Sequence, residues 1–118
     1  MIDHVNIPVR DLARARVFYE RALAPLGLHV LAEDGPLVGF GRDSWDFGIE
    51  DAGEAFVPLH LAFAARSRAE VEGFHAAALA AGGRCNGAPG LRDAYGQGYF
   101  AGYVIDPEGH RLEAVHRG

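Results

Sequence analysis

Residues 4–27, HVNIPVRDLARARVFYERALAPLG, return in altered spelling as residues 60–83, HLAFAARSRAEVEGFHAAALAAGG. The two stretches align at one constant offset: His4 with His60, Asp11 with Ser67, Phe18 with Phe74, Gly27 with Gly83. Each begins as a strand, MIDHVNIPV (residues 1–9) in the first copy and Val57–Ala64 in the second, because apolar residues alternate over it, Val5, Ile7 and Val9 in one and Leu59, Leu61 and Phe63 in the other. Each then passes through a helix cap, the N-cap Asp11 in one and the capping box Ser67-Arg68-Ala69-Glu70 in the other. Leu12, Ala15, Phe18, Tyr19, Ala22, Leu23 and Leu26 follow at helical spacing, as do Val71, Phe74, His75, Ala78 and Ala81. Pro25 with Gly27, and Gly82-Gly83, stop the two helices. Four matches at one offset point to an internal duplication.

Working outward, Leu28–Ala32, Leu37–Phe40 and Asp46–Glu50 read as short strands parted by Asp34-Gly35-Pro36 and residues 41–44. A Gly/Pro-rich loop is expected from about Asn86 to Gly98, and two strands close the chain, Tyr99–Ile105 and Arg111–His116. Asp106-Pro107-Glu108-Gly109 between them is a type I turn signal. The expected fold is therefore α+β: two βαβββ modules, about 1–52 and about 56–118, in one domain. Their helices cover one face of a mixed sheet, whose other face curves, partly closed, around a cavity.

Length and composition agree. The 118 residues are a one-domain length, 49% hydrophobic and 23% charged, and need no disulfide or structural metal to hold a core. With 11 Lys and Arg against 16 Asp and Glu, the net charge is −5, and no basic stripe exists to neutralise nucleic-acid phosphates. No apolar run is long enough to span a bilayer, and MIDHVNIPV lacks the marks of a secretory signal. The single cysteine, Cys85, suits a reducing compartment, so a cytoplasmic location is expected. With no base beside it in sequence, Cys85 reads as inert.

Alternation also sorts the chemistry. If Val5, Ile7 and Val9 face the helix, His4 and Asn6 face the cavity; if Leu61 and Phe63 face the helix, His60 joins them. The last strand is ambiguous by itself. If Leu112 is core, Glu113 shares the cavity with both histidines. Two imidazoles and a carboxylate around one point make a facial triad suited to Fe(II), Mn(II), Ni(II) or Zn(II), with open positions for water or substrate. The competing reading is two hydrogen-bonded structural histidines and a solvated strand-edge glutamate. Some of Trp45, Phe47, Tyr95, Tyr99, Phe100 and Tyr103 are expected to wall the cavity while strand alternation sends at least half to the core. Arg92 and Tyr95 lie in the Gly-rich loop, where they could close over an anionic or phenolic ligand; the competing reading, and the default for a loop arginine, is a solvated Arg92. His29, His75, His110 and His116 read as surface or helix-packing residues.

Residues 2–28, IDHVNIPVRDLARARVFYERALAPLGL, and 99–116, YFAGYVIDPEGHRLEAVH, resemble the opening and closing segments of the vicinal oxygen chelate superfamily. This superfamily includes glyoxalase I, extradiol dioxygenases, fosfomycin-resistance thiol transferases and bleomycin-binding proteins. Asp106-Pro107-x-Gly109-x-x-Leu112-Glu113 is the most specific part, followed by Phe18-Tyr19-Glu20. The resemblance implies paired βαβββ modules, a divalent metal held by His4, His60 and Glu113, and homodimers. It also implies an enzyme whose small substrate chelates the metal through neighbouring oxygens, with lyase, isomerase or ring-cleaving dioxygenase chemistry. Asn6, Tyr95 and Tyr99 are the candidates for orienting that substrate. Glyoxalase I adds a fourth, acidic ligand from the last strand of module 1, where this chain offers Gly48 or Glu50 depending on a two-residue shift that parity cannot settle. The alternatives are a non-catalytic small-molecule-binding protein of the bleomycin-resistance type and a metal-binding relic.

Overall fold

A computed structural model describes residues 2–118; Met1, where the first expected strand begins, lies outside the described residues. The element order repeats itself. The first module runs β1 (Val5–Val9), α1 (Leu12–Leu23), β2 (His29–Asp34), β3 (Leu37–Gly41) and β4 (Trp45–Asp51). The second runs β5 (His60–Ala64), α2 (Arg68–Ala80), β6 (Arg84–Leu91), β7 (Tyr99–Ile105) and β8 (Arg111–Arg117). Each module makes its own four-stranded mixed sheet, ordered β1-β4-β3-β2 and β5-β8-β7-β6, and neither closes into a barrel. Within each, the first strand lies parallel to the last and the rest pair antiparallel.

The caps act where the sequence places them. Asp11 accepts the Arg14 N–H at 3.1 Å, and Ser67 Oγ accepts the Glu70 N–H at 3.1 Å. The reciprocal arm differs from the expected capping box: the Glu70 carboxylate takes the Arg66 N–H, one residue before the cap, at 2.8 Å. Gly27 ends the first helical segment at φ +78° and Gly82 follows the second at φ +105°, where a side chain would strain the backbone. Pro8 is tolerated inside β1 because that strand is a sheet edge.

The helices bind the modules together. One core cluster contains Ile7, Phe18, Tyr19 and Ile49 from the first half and Val71, Phe74, Val104 and Leu112 from the second. Phe18 and Phe74, the repeat-equivalent aromatics, are both buried. The expected core of β5 is looser: Leu61 and Phe63 are half-buried, and Leu59 lies outside the strand, exposed. The expected loop at 86–98 is partly strand, since β6 continues to Leu91 despite its glycines and proline. Its pairing with β7 slips twice, between Cys85 and Gly87 and between Gly87 and Gly90.

The Asp106–Gly109 turn joins the halves. Asp106 Oδ1 accepts the N–H groups of Glu108, Gly109 and His110, and Oδ2 accepts the buried Tyr19 hydroxyl. Glu108 turns back to α1, taking Arg10 Nε at 3.0 Å and the Asp11 N–H at 2.8 Å. His110, fully buried, takes the Leu59 N–H on Nδ1 at 2.9 Å and therefore donates from Nε2 to the Pro8 carbonyl at 2.7 Å. His110 is thus a bridge between the two sheets rather than a surface group.

Candidate functional site

Leu112 is 1% exposed on the helix side, which settles the ambiguity of β8 and turns Glu113 to the opposite face. Register brings its neighbours. Glu113 lies opposite Ala62 on β5 and opposite Tyr103 on β7, while Tyr99 lies opposite Arg117. His60 shares the parity of Ala62, so its ring reaches the same side, and its Nε2 stands 2.7 Å from Glu113 Oε1. Tyr99 donates its hydroxyl to Glu113 Oε2 at 2.6 Å. Both oxygens of a buried carboxylate are therefore engaged, as burial of a charge demands.

These side chains floor an open cleft of about 390 Å³, with Tyr95 and Arg117 at its margin. Tyr95 is 66% exposed and meets Tyr99 edge-on, with ring centroids 5.6 Å apart. Burial, together with the Glu113 carboxylate, pushes the Tyr99 hydroxyl up to about 12. It is a donor, not a base, at any physiological pH. Burial also raises the Tyr103 hydroxyl, with Glu113 adding to the effect. Among the described residues that buried hydroxyl has no hydrogen-bond partner.

His4 and Asn6 stand apart from this group. His4 is half-exposed, its Nδ1 2.8 Å from Asp3 and its ring 5.0 Å from Trp45. The bridge through His110 sets the C-terminal end of β1 beside the start of β5, and Val5, at the other end of β1, lines a seam cleft with Ala64. His4 is therefore about four strand residues, roughly 13 Å, from the level of His60. Among the described residues no three His, Cys, Asp or Glu side chains gather closely enough within one chain to hold a metal ion.

The register also settles the fourth acidic position. Asn6 pairs with Gly48 as Ala62 pairs with Glu113, and Asn6 is the repeat partner of Ala62, so Gly48 is the counterpart of Glu113. A Cβ on Gly48 would stand 2.3 Å from Asn6 Oδ1, so the amide occupies the room a side chain would need. Glu50 lies opposite Pro8, exposed at the strand end.

The aromatic set sends fewer members to the core than expected: Phe47 is core and Phe100 packs against the core while carrying the Arg68 guanidinium at 4.8 Å, whereas Tyr95, Tyr99 and Tyr103 line the cleft. Trp45, of the same parity as Phe47, lies instead against the His4 ring, past the irregularity in the β3–β4 pairing. Sequence reasoning missed two features. His75 Nε2 lies 3.3 Å from Cys85 Sγ, a proximity invisible in sequence because it crosses from α2 to β6. Arg92 folds back over the Tyr103 ring, its carbon 5.2 Å from the centroid, rather than standing in solvent.

Comparison with known proteins agrees with this architecture. The family model for the Glyoxalase/Bleomycin resistance protein/Dioxygenase superfamily matches residues 1–114. The crystal structure of a glyoxalase/bleomycin resistance protein from Albidiferax ferrireducens T118 superposes with a TM-score of 0.85 at 30% identity, covering 98% of each chain. A glyoxalase/bleomycin resistance protein/dioxygenase family enzyme from Burkholderia phytofirmans PsJN gives 0.76 at 18% identity, covering 99% of this chain and 98% of the other. Lactoylglutathione lyase from Agrobacterium tumefaciens gives 0.72 at 22% identity, over 98% and 92%. At these lower identities the likeness is one of fold. No curated protein sequence matches the chain. Duplicated βαβββ modules, the Asp106–Glu113 segment and the match over nearly the whole length agree: the chain belongs to the Glyoxalase/Bleomycin resistance protein/Dioxygenase superfamily.

Proposed function

We propose that this protein is a metal-dependent enzyme acting on a small molecule that chelates a divalent ion (Fe2+, Mn2+, Ni2+ or Zn2+) through neighbouring oxygens, by lyase, isomerase or ring-cleaving dioxygenase chemistry. The observation that carries it is the approach of His60 Nε2 and Glu113 Oε1 to 2.7 Å on an open sheet face. An imidazole nitrogen and a carboxylate oxygen side by side are donors that suit those ions. His4 supplies the third donor from a second copy of the chain. Its ring and the His60–Glu113 pair face outward from different sheets, and a homodimer can bring such complementary halves together where one chain does not. Gly48 in place of a fourth acid favours a three-ligand set over the glyoxalase I arrangement.

When bound, the ion would polarise the substrate oxygens and stabilise negative charge developing on them. The side chains have separable tasks. Tyr99 fixes the Glu113 carboxylate by holding Oε2, which leaves Oε1 directed at His60. Tyr95, at the margin of the cleft, shields the bound molecule from water. Asn6, carried on the same strand face as His4, would orient the substrate from the second copy.

A second reading, a non-catalytic small-molecule-binding protein, is favoured by one observation: His60 and Tyr99 already satisfy both oxygens of Glu113. Metal analysis of freshly purified protein beside a His60→Ala variant separates the two. The enzyme reading expects a divalent metal in the parent and its loss in the variant; equal metal content, or none in either, contradicts it. Neither reading involves nucleic acid or membrane, and both are consistent with a cytoplasmic location. Among the described residues no helix is long and apolar enough to cross a membrane.

A further inference from the structure

We infer that the β6–β8 cleft selects a planar organic anion, an arenecarboxylate or phenolate, whose charge is taken by Arg92 and whose ring lies against the tyrosine wall. This rests on reading the cleft as the ligand site, but not on the metal. Arg92 is built into place. Its guanidinium donates to the Ala88 carbonyl at 2.6 Å and stacks on Tyr103. Two glycines clear its path: a Cβ on Gly90 would stand 3.0 Å from Nη1, and one on Gly87 would stand 3.3 Å from Nη2 and 2.9 Å from the Tyr103 ring. The slips in β6–β7 pairing fall at these same glycines. The arrangement commits backbone, register and an aromatic face to holding one cation.

That cation lacks a carboxylate partner among the described residues. With N–H groups given to Ala88 and, at 3.4 Å, to Leu91, three of its five donors remain for a ligand. Beside it the Tyr103 hydroxyl is buried without a partner among the described residues, and such a group calls for one. Its O–H is free to donate to a ligand oxygen. Between Tyr103 and Tyr99, Ala101 and Val115 complete a small apolar floor on the same face. A flat ring with one anionic oxygen group meets all three features: cation, orphan donor and apolar floor.

Calorimetric titration of the full-length, chelator-treated protein tests this, using benzoate, cyclohexanecarboxylate (same charge, puckered ring) and benzamide (same ring, no charge). Benzoate should bind most tightly, and Arg92→Gln should weaken it roughly tenfold or more, the usual effect of losing a hydrogen bond to a charged group. Tyr103→Phe should weaken it less, leaving the order of the three probes unchanged. Unaltered thermal unfolding of both variants excludes a folding defect. Equal affinity of the parent for benzoate and cyclohexanecarboxylate, or equal affinity of parent and Arg92→Gln for benzoate, overturns the inference. Absence of benzoate binding does the same. Because no metal is present, these results stand apart from the metal content of His60→Ala.

Discussion

Replacing Glu108 with glutamine should loosen the joint between the modules in a pH-dependent way. The Glu108 side chain is 1% exposed and accepts from Arg10 Nε at 3.0 Å and the Asp11 N–H at 2.8 Å, with Arg14 3.6 Å away. Glutamine keeps one acceptor but turns an NH2 toward a donor, so a buried hydrogen bond becomes a donor–donor contact. Arg10 and Arg14 are half-exposed, which discounts their Coulombic share. What remains is about 2 kcal/mol, within the range for hydrogen bonds to a charged group. For 118 residues that lowers Tm by roughly 8 °C. Burial alone would raise the Glu108 pKa, but the bonds from Arg10 and Asp11 outweigh it and hold the carboxyl below its usual value. A depressed carboxyl stabilises the fold above the unfolded-state pKa and loses that contribution as pH falls through the folded-state value. Urea unfolding of parent and variant at about pH 7 and about pH 3.5 should therefore show a gap that shrinks on acidification. An equal gap at both, or none near neutrality, would refute the reasoning.

Three further outcomes follow from the site. Tyr99→Phe removes the 2.6 Å bond that orients Glu113 and should weaken metal binding about tenfold, measured by competition with a chromophoric chelator. Gly48→Ala drives a Cβ to 2.3 Å from Asn6 Oδ1 and should cost about 1–3 kcal/mol in urea unfolding; Asn6→Ala in the same chain should recover most of that loss. Gly39→Ala places a Cβ 2.7 Å from the Trp45 ring and should change the tryptophan fluorescence as well as lower stability.

What the sequence revealed was what depends on local period. Alternation placed Ile7 and Val9 inside and Asn6 outside, and the shared offset of His4 and His60 announced the duplication. Once Leu112 was known to be core, Glu113 followed. Long-range geometry was hidden. Glu108 sits in a turn motif where an acid ordinarily meets water, and only the packing of α1 beneath that turn makes it a clamp. The separation of His4 from His60 depends on how two sheets meet through His110, which no periodicity encodes. Gly48 against Glu50 was a question of register, and parity is blind to a two-residue shift. Arg92 looked solvated because the glycines that admit it are remote from any helix or strand signal.

The most direct test is subunit complementation. His4→Ala and His60→Ala chains are purified separately, mixed under conditions that exchange subunits, and assayed for bound metal. Each variant alone should bind none, and the mixed dimer should regain one of its two sites, since one pairing joins an intact His4 to an intact His60 and Glu113. Mixtures that stay metal-free while the parent binds, or a His4→Ala chain that keeps its full complement, would contradict a metal centre shared between chains.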